Sequence, residues 1–411
     1  FGERFGARSD RGQAGRMSVS RRVIGSEQVE KASRGGRRYI EVPPGGIVTV
    51  QARETAERLD VALRDGPLDR PQTPETDGAA ALYRVLYRRS SKWMAPKPPA
   101  GRNPLRFRRI AIIGAGGVGG NIAHLAAARD AAGEIVIVDV VPGLAESIAL
   151  DLNHSSGATR SKCAVSGSVD PSASADADVV VVSAGRARSP GMSRADLLAF
   201  NRRTIRALGE KIRAASPGAV VIVVSNPLDE MTAEMLWATE FPRERVMGMA
   251  GTLDSARFRA ELAHAARVGI DEVEAMVIGS HGGEMTPLVS LARIRGMPLD
   301  RFLDDEQISG CVERTISAGA KVVELRRTAS ASIAPAHAAL ELLDHMRGAR
   351  VGPVPATVHL RGEFGIEGVP LGVPCLLGPK GLAEVAELTI DASERAKLKS
   401  ASEAVRARIG S

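Results

Sequence analysis

Apolar residues fall along this chain in two alternating rhythms. Short unbroken runs at 110–113 (IAII), 134–138 (EIVIV), 178–183 (DVVVVS) and 219–224 (AVVIVV) are strand-sized and rich in β-branched residues. Each reads as a strand buried on both faces. Between and after them, segments 118–130, 193–215 and 229–239 read as helices. Strands alternating with helices predict an α/β fold built on a doubly wound parallel sheet. Ligands of such a sheet sit at the C-terminal ends of its strands. Those ends carry the glycines after Ile113, then Ala184-Gly185-Arg186, then Ser225-Asn226-Pro227.

The first hundred residues have a different texture. Residues 1–24 are basic and read as disordered; the Arg-rich stretch to Arg22 has the composition of a transit peptide, and Met17 is an expected start. A small α/β-like module follows over 25–64. Ser26 is placed to cap a short helix with Glu27 and Glu30 in its first turn. Residues 38–42 read as a strand, Pro43-Pro44-Gly45-Gly46 as a turn, 47–50 as a strand and 49–59 as a helix. Residues 65–107 read as Pro-rich linkers around one amphipathic helix, 79–94, with Leu82, Val85 and Leu86 on one face and Arg84, Arg88 and Arg89 elsewhere. Such a helix either docks on a partner or packs on its own catalytic domain.

Composition narrows the classes. A chain of 411 residues has room for two or three domains. Hydrophobic residues at 44% exclude a disordered chain, and aromatics at 3% make the core aliphatic. No apolar run approaches the ~18 residues of a membrane helix. Cys163, Cys311 and Cys375 are too few and too far apart for a disulfide framework or a zinc cluster, so no metal is expected and a reducing, cytoplasmic setting is. The net charge of +7 is lopsided. Residues 1–109 hold 23 Lys and Arg against 12 Asp and Glu, a net +11, whereas the remainder is −4. A nucleic-acid reading of the whole chain loses its support with that split.

The chemistry begins at 109–120 (RIAIIGAGGVGG), where a strand runs into Gly114-x-Gly116-x-x-Gly119 and then a helix. In that context the glycines are a dinucleotide fingerprint. Gly114 makes the tight turn, Gly116 admits the pyrophosphate, and Ala115, Gly117, Val118 and Gly119 complete the loop and helix N-terminus that face it. Asp139 closes the next strand about 20 residues on, where a carboxylate meets the ribose hydroxyls and repels a 2′-phosphate. The cofactor expected is NAD.

Oxidising a hydroxyacid by hydride transfer needs a base near neutrality, a carboxylate to orient it, a cation on the carbonyl and a cation on the substrate carboxylate. His281 lies in VIGSHGG, a strand running into a glycine loop, and is the only one of seven histidines so placed; His124 and His264 fall on helical patterns. Asp254 and Arg257, three apart in GTLDSARF, share a helix face. Arg188 and Arg194 flank a Pro-Gly turn in AGRARSPGMSR, a candidate mobile lid.

These residues, with ALDLNHS, VVSNPLDEMT, GSHGGEMTPL and EFGIEGVPLGVPCLLGPKGL in the same order, resemble the lactate/malate dehydrogenase family over about 108–411, and within it the bacterial malate-oxidising branch. The resemblance implies a Rossmann NAD-binding domain at 108–250 and a mixed α/β catalytic and substrate domain at 251–411, ending in a one-sidedly exposed amphipathic helix, Ala392–Ile409. It implies hydride transfer between malate and NAD, giving oxaloacetate and NADH. His281 becomes the proton acceptor with Asp254 as its partner. Arg257 becomes the clamp on one substrate carboxylate, Arg194 the carbonyl-polarising lid residue, and Arg188 the partner of the second carboxylate, where a lactate enzyme carries Gln. Asn226 would bond the substrate, and Asn201 with Val224 would line the nicotinamide side. A homodimer or homotetramer is implied.

Two departures from the family pattern stand out. Gly283 replaces the usual Asp after His-Gly, and 328–334 (TASASIA) lacks the usual glycine and aromatics. Residues 23–61 further resemble a short module attached to bacterial microcompartment enzymes, and 79–94 resembles an encapsulation peptide, which implies a shell protein as partner. Two alternatives stay open: a dehydrogenase for L-lactate or another 2-hydroxyacid, and a non-catalytic NAD-binding cargo or adaptor protein.

Overall fold

The computed structural model describes residues 23–36, 38–42, 47–65, 103–186, 194–327 and 330–410. The expected basic tail, the Pro43–Gly46 turn, the helix at 79–94, most of its linkers, Arg188 and the side chain of Arg194 lie outside the described residues. The chain divides into two compact units, residues 1–83 and 84–411.

The first unit contains two successive strand-helix-strand copies. Val23–Ile24, helix Ser26–Arg34 and Tyr39–Val42 form one; Ile47–Val48, helix Val50–Arg58 and Ala62–Asp65 form the other. The opening strands pair in parallel, Val23 with Ile47, and the closing strands do the same, Tyr39 with Ala62. Ile24, Val29, Ala52, Ala56 and Val61 make its core. Ser26 is not the cap expected of it. Gln28 reaches back to the Gly25 N–H at 2.6 Å, so Gly25 caps and Ser26 becomes the first helical residue. In the second copy Thr49 accepts from the Ala52 N–H at 3.2 Å, which ends the expected strand at Val48.

The second unit is organised by one sheet, eleven-stranded among the described residues. Six strands are parallel in the order Ala164–Ser168, Ala132–Val138, Phe107–Ile113, Val179–Val182, Val220–Val223, Val246–Gly248. By chain position that is 3-2-1-4-5-6, the doubly wound order that places its ligand crevice where the order reverses, beside the end of Phe107–Ile113. Ile110 and Ile112 face one apolar layer with Ile122 and Ile135; Ala111 and Ile113 face another with Val180, Val221 and Met231. Burial on both faces explains the unbroken apolar runs.

The α/β doubly wound reading holds, and the sheet extends beyond it. Two strands, Ala164–Ser168 and Val246–Gly248, were not foreseen from sequence; one is full of small residues and the other is three residues long. The sheet also does not stop at the last parallel strand. Gly248 pairs antiparallel with Thr357 of Val354–Arg361, which pairs with Glu367–Gly378, then with Val277–Gly279 and Met285–Pro287. The edge that a six-stranded parallel sheet would leave open is thereby covered. The second half adds helices Gly251–Ala266, Asp305–Arg326, Ile333–Met346 and Ala392–Ile409. Among the described residues no helix is long and apolar enough to cross a membrane, and no group of three His, Cys, Asp or Glu side chains is placed to hold a metal. Cys163, Cys311 and Cys375 are buried free thiols, and burial pushes Cys375 up to about 12.

Candidate active site

The glycine loop lies between Phe107–Ile113 and helix Gly117–Ala128. Two glycines there are enforced by contact. Gly114 has φ +105, and a Cβ on it would meet the Ala184 nitrogen at 2.7 Å; a Cβ on Gly119 would sit 1.8 Å from the Gly114 carbonyl oxygen. Gly116 differs: a Cβ there would meet nothing within 4 Å. The first two spaces are filled by protein, whereas the third opens outward as a dinucleotide pyrophosphate requires. Asp139 is fixed beside the loop, accepting from the Ala115 N–H at 2.6 Å and the Val141 N–H at 2.9 Å. Each carboxylate oxygen keeps a lone pair for a ribose hydroxyl. The residues present therefore fit NAD. Gly114, Ala115, Gly116, Gly117, Val118, Gly119 and Asp139 come together at the switch point of the sheet.

Asn201 joins the neighbouring strand ends. Fully buried on helix Arg194–Ala215, it accepts from the Arg186 N–H at 2.8 Å and donates to the carbonyls of Arg186 (3.1 Å) and Asn226 (2.6 Å). Val224 and Asn226 follow the strand Val220–Val223, and the Asn226–Pro227 peptide is cis. Asn201 thus frames the crevice with its whole amide rather than presenting it outward.

The catalytic candidates are assembled from two elements. Asp254 and Arg257 lie in helix Gly251–Ala266, and His281 follows strand Val277–Gly279. His281 Nδ1 lies 2.8 Å from Asp254 Oδ2, and Arg257 Nη1 donates to Asp254 Oδ1 at 3.0 Å. Asp254 is 2% exposed, so its charge is shared by these two partners and little by water. With a carboxylate on Nδ1, that nitrogen carries the proton and Nε2 is left for substrate. Burial pushes the His281 imidazole down, yet the charges of Asp254 and Asp229 and the Asp254 hydrogen bond outweigh it and hold His281 above its ordinary value.

Sequence reasoning missed what holds the His281 backbone. Asp229, 1% exposed, accepts from the His281 N–H at 3.0 Å, from Ser280 Oγ at 2.7 Å and from Thr357 Oγ1 at 3.3 Å. Burial pushes its carboxyl up to about 6 against the Ser280 hydrogen bond. The available signal was an acid in the first turn of a helix that is apolar on both sides, in NPLDEMT.

The chain matches two family models in succession: the lactate/malate dehydrogenase NAD-binding domain over residues 108–248 and the α/β C-terminal domain of the same family over 251–411. Malate dehydrogenase of Pelodictyon phaeoclathratiforme is 40% identical over 291 residues, 71% of this chain and 94% of the relative. Among solved structures, malate dehydrogenase from Salinibacter ruber aligns with TM-score 0.70 and 37% identity, covering 74% of this chain and 96% of that one. Lactate dehydrogenase from Cryptosporidium parvum, complexed with lactic acid and the dinucleotide, aligns with TM-score 0.71 and 32% identity, covering 74% and 98%.

Proposed function

This chain belongs to the lactate/malate dehydrogenase family, and we propose that His281, Asp254 and Arg257 form the hydride-transfer site of an enzyme that interconverts malate and oxaloacetate with NAD. The observation that carries this reading is one buried carboxylate, Asp254, bonded to both His281 and Arg257. The glycine loop and Asp139 would hold NAD, which supplies the hydride acceptor when bound. His281 Nε2 takes the proton of the C2 hydroxyl in malate oxidation and returns it in oxaloacetate reduction. Asp254 keeps the imidazole in the needed tautomer and stabilises it when charged. Arg257 keeps N–H groups beyond the one given to Asp254, and a guanidinium pairs with a substrate carboxylate through two parallel bonds.

In the same proposal Arg194 polarises the C2 carbonyl and Arg188 pairs with the second carboxylate. Asn226 bonds the substrate, while Asn201 and Val224 frame the nicotinamide side. The division into an NAD-binding half at 108–250 and a catalytic half at 251–411, a homo-oligomeric assembly and a cytoplasmic setting belong to it as well. Residues 79–94 as a shell-docking helix are a separate proposal, carried by sequence pattern alone; diffuse fluorescence of a fusion in shell-forming cells would remove it.

The test is steady-state NADH oxidation with oxaloacetate and pyruvate side by side. The parent prefers oxaloacetate in kcat/KM, and Arg188→Gln narrows that preference by about 100-fold. A pyruvate preference in the parent would defeat the role given to Arg188.

A further inference from the structure

Helix Ala392–Ile409 lies against the segment that carries His281, and a charged side chain ties each of its ends there. At the first turn Glu394, 4% exposed, closes a capping box with Asp391 and accepts from the Ser290 N–H at 2.9 Å and Ser290 Oγ at 2.6 Å. Ser290 lies three residues beyond strand Met285–Pro287. In the last turn the Arg408 guanidinium spreads over three acceptors. Nε donates to Glu230 Oε1 at 2.6 Å, Nη1 to Glu284 Oε1 at 3.2 Å and Nη2 to Ser280 Oγ at 3.0 Å. Leu398, Ala401 and Val405 between the two ends are fully buried, so the helix is seated along its length.

Ser280 passes the contact on. Its hydroxyl accepts from Arg408 and donates to Asp229 Oδ2, and that same oxygen accepts the His281 N–H. The guanidinium also meets a local need. Asp229 and Glu230 are adjacent and both nearly inaccessible, and two such carboxylates repel unless a cation stands beside them. A planar fork serves several fixed acceptors at once, which a point-charge ammonium does less well.

We propose that Arg408 is a positioning residue of the hydride-transfer site: from the last helix it fixes, through Ser280 and Asp229, the backbone at which His281 leaves its strand. The proposal rests on the role given to His281 above. Arg408 itself touches no reacting atom, so its loss acts on turnover and spares the cofactor.

The experiment compares Arg408→Ala, Arg408→Lys, Ser280→Ala, the Ala/Ala double variant and His281→Asn in the full chain. Readouts are kcat, KM for oxaloacetate, NADH affinity by fluorescence, and Tm. Arg408→Ala is expected to lower kcat about tenfold, with NADH affinity and KM held within about twofold, and Arg408→Lys to recover part of the loss. Ser280→Ala reproduces the loss, and the double variant is no slower than the slower single, because both cut one relay. Parental kcat in Arg408→Ala, or losses that multiply in the double variant, overturns the relay. If Arg408→Ala does not fold, Ser280→Ala decides alone, and parental kcat there overturns it. The His281 variant separates the two levels. Retained turnover in His281→Asn sinks the catalytic assignment; an inactive His281→Asn beside a normal Ser280→Ala sinks only the relay.

Discussion

The two halves of the proposed active site are made from opposite materials. The cofactor half is defined by missing side chains: Gly114 and Gly119 leave room that protein backbone then fills, and Gly116 leaves room that protein does not fill. The chemical half is defined by charged side chains in a small space: His281 and Arg257 on the two oxygens of Asp254, and Asp229 beneath the His281 backbone. The first half is nearly local, six residues of one turn with Asp139 from the next strand end. The second draws partners 27, 52 and 128 residues apart. Binding a dinucleotide needs backbone N–H groups and a close approach, whereas moving a proton needs ionisable groups whose charges are balanced by one another.

The comparison predicts that the halves fail differently, and the largest effect is on chemistry alone. His281→Asn keeps the shape and removes the titratable nitrogen. The expected loss in kcat is about 10³-fold with NADH affinity unchanged. A fluorescence titration showing weakened NADH binding in that variant would break the separation. The converse is Gly119→Ala. Its Cβ would collide with the Gly114 oxygen, so the turn must shift. Overpacking of this kind costs roughly 1–3 kcal/mol. NADH affinity should fall with Tm, by about 100-fold where the loop moves by an ångström.

The same contrast explains what was legible in the sequence. The four buried strands, the glycine loop and Asp139 were readable because each is a short pattern with one physical cause. His281, Asp254 and Arg257 were named from local context and a family resemblance, and the structure brings those three together. Asp229 left one signal, an acid in the first turn of an apolar helix, and Arg408 left none, since nothing in the spacing of 229, 280 and 408 says that they meet. The strand Val246–Gly248 was missed for a related reason. Three residues carry no periodicity, and its place is set by Val221 on one side and Thr357 on the other. The helix starts one residue earlier than a Ser26 cap would set it, because Gly25 is the N-cap and Gln28 takes its N–H.

Acidity sharpens the comparison at a smaller scale. His281 is held above 6.5 by the carboxylates around it, against burial. In the proposed mechanism its protonated form is the proton donor for oxaloacetate reduction. Reduction should therefore persist above pH 6.5 and fall as the pH climbs through the raised value, while malate oxidation rises over the same range. Linkage has the same sign: the native state gains from protonated His281 fully below about pH 6.5, and loses that gain as pH rises through the folded value. Asp254→Asn removes the strongest upward influence. The alkaline limb should move to lower pH, and kcat should fall, by about 100-fold or more for loss of the orienting carboxylate. NADH affinity should show no such limb. A limb that stays in place in Asp254→Asn would mean that another group titrates.

The smallest expected effect concerns Gly283, where the family pattern has an acid. A Cβ at Gly283 would meet nothing within 4 Å, so Gly283→Asp fits without displacing its neighbours. The added carboxylate, two positions from His281, would join a loop whose next residue, Glu284, already pairs with Arg408. Asp254 and Asp229 already provide negative charge at the imidazole, so a third, more exposed carboxylate adds only a screened increment. The expected result is kcat within about threefold of the parent and an alkaline limb displaced upward by less than Asp254→Asn displaces it downward. A gain of tenfold or more would show instead that the chemical half is incomplete without that acid, and that Asp254 and Asp229 do not by themselves set the proton affinity of His281.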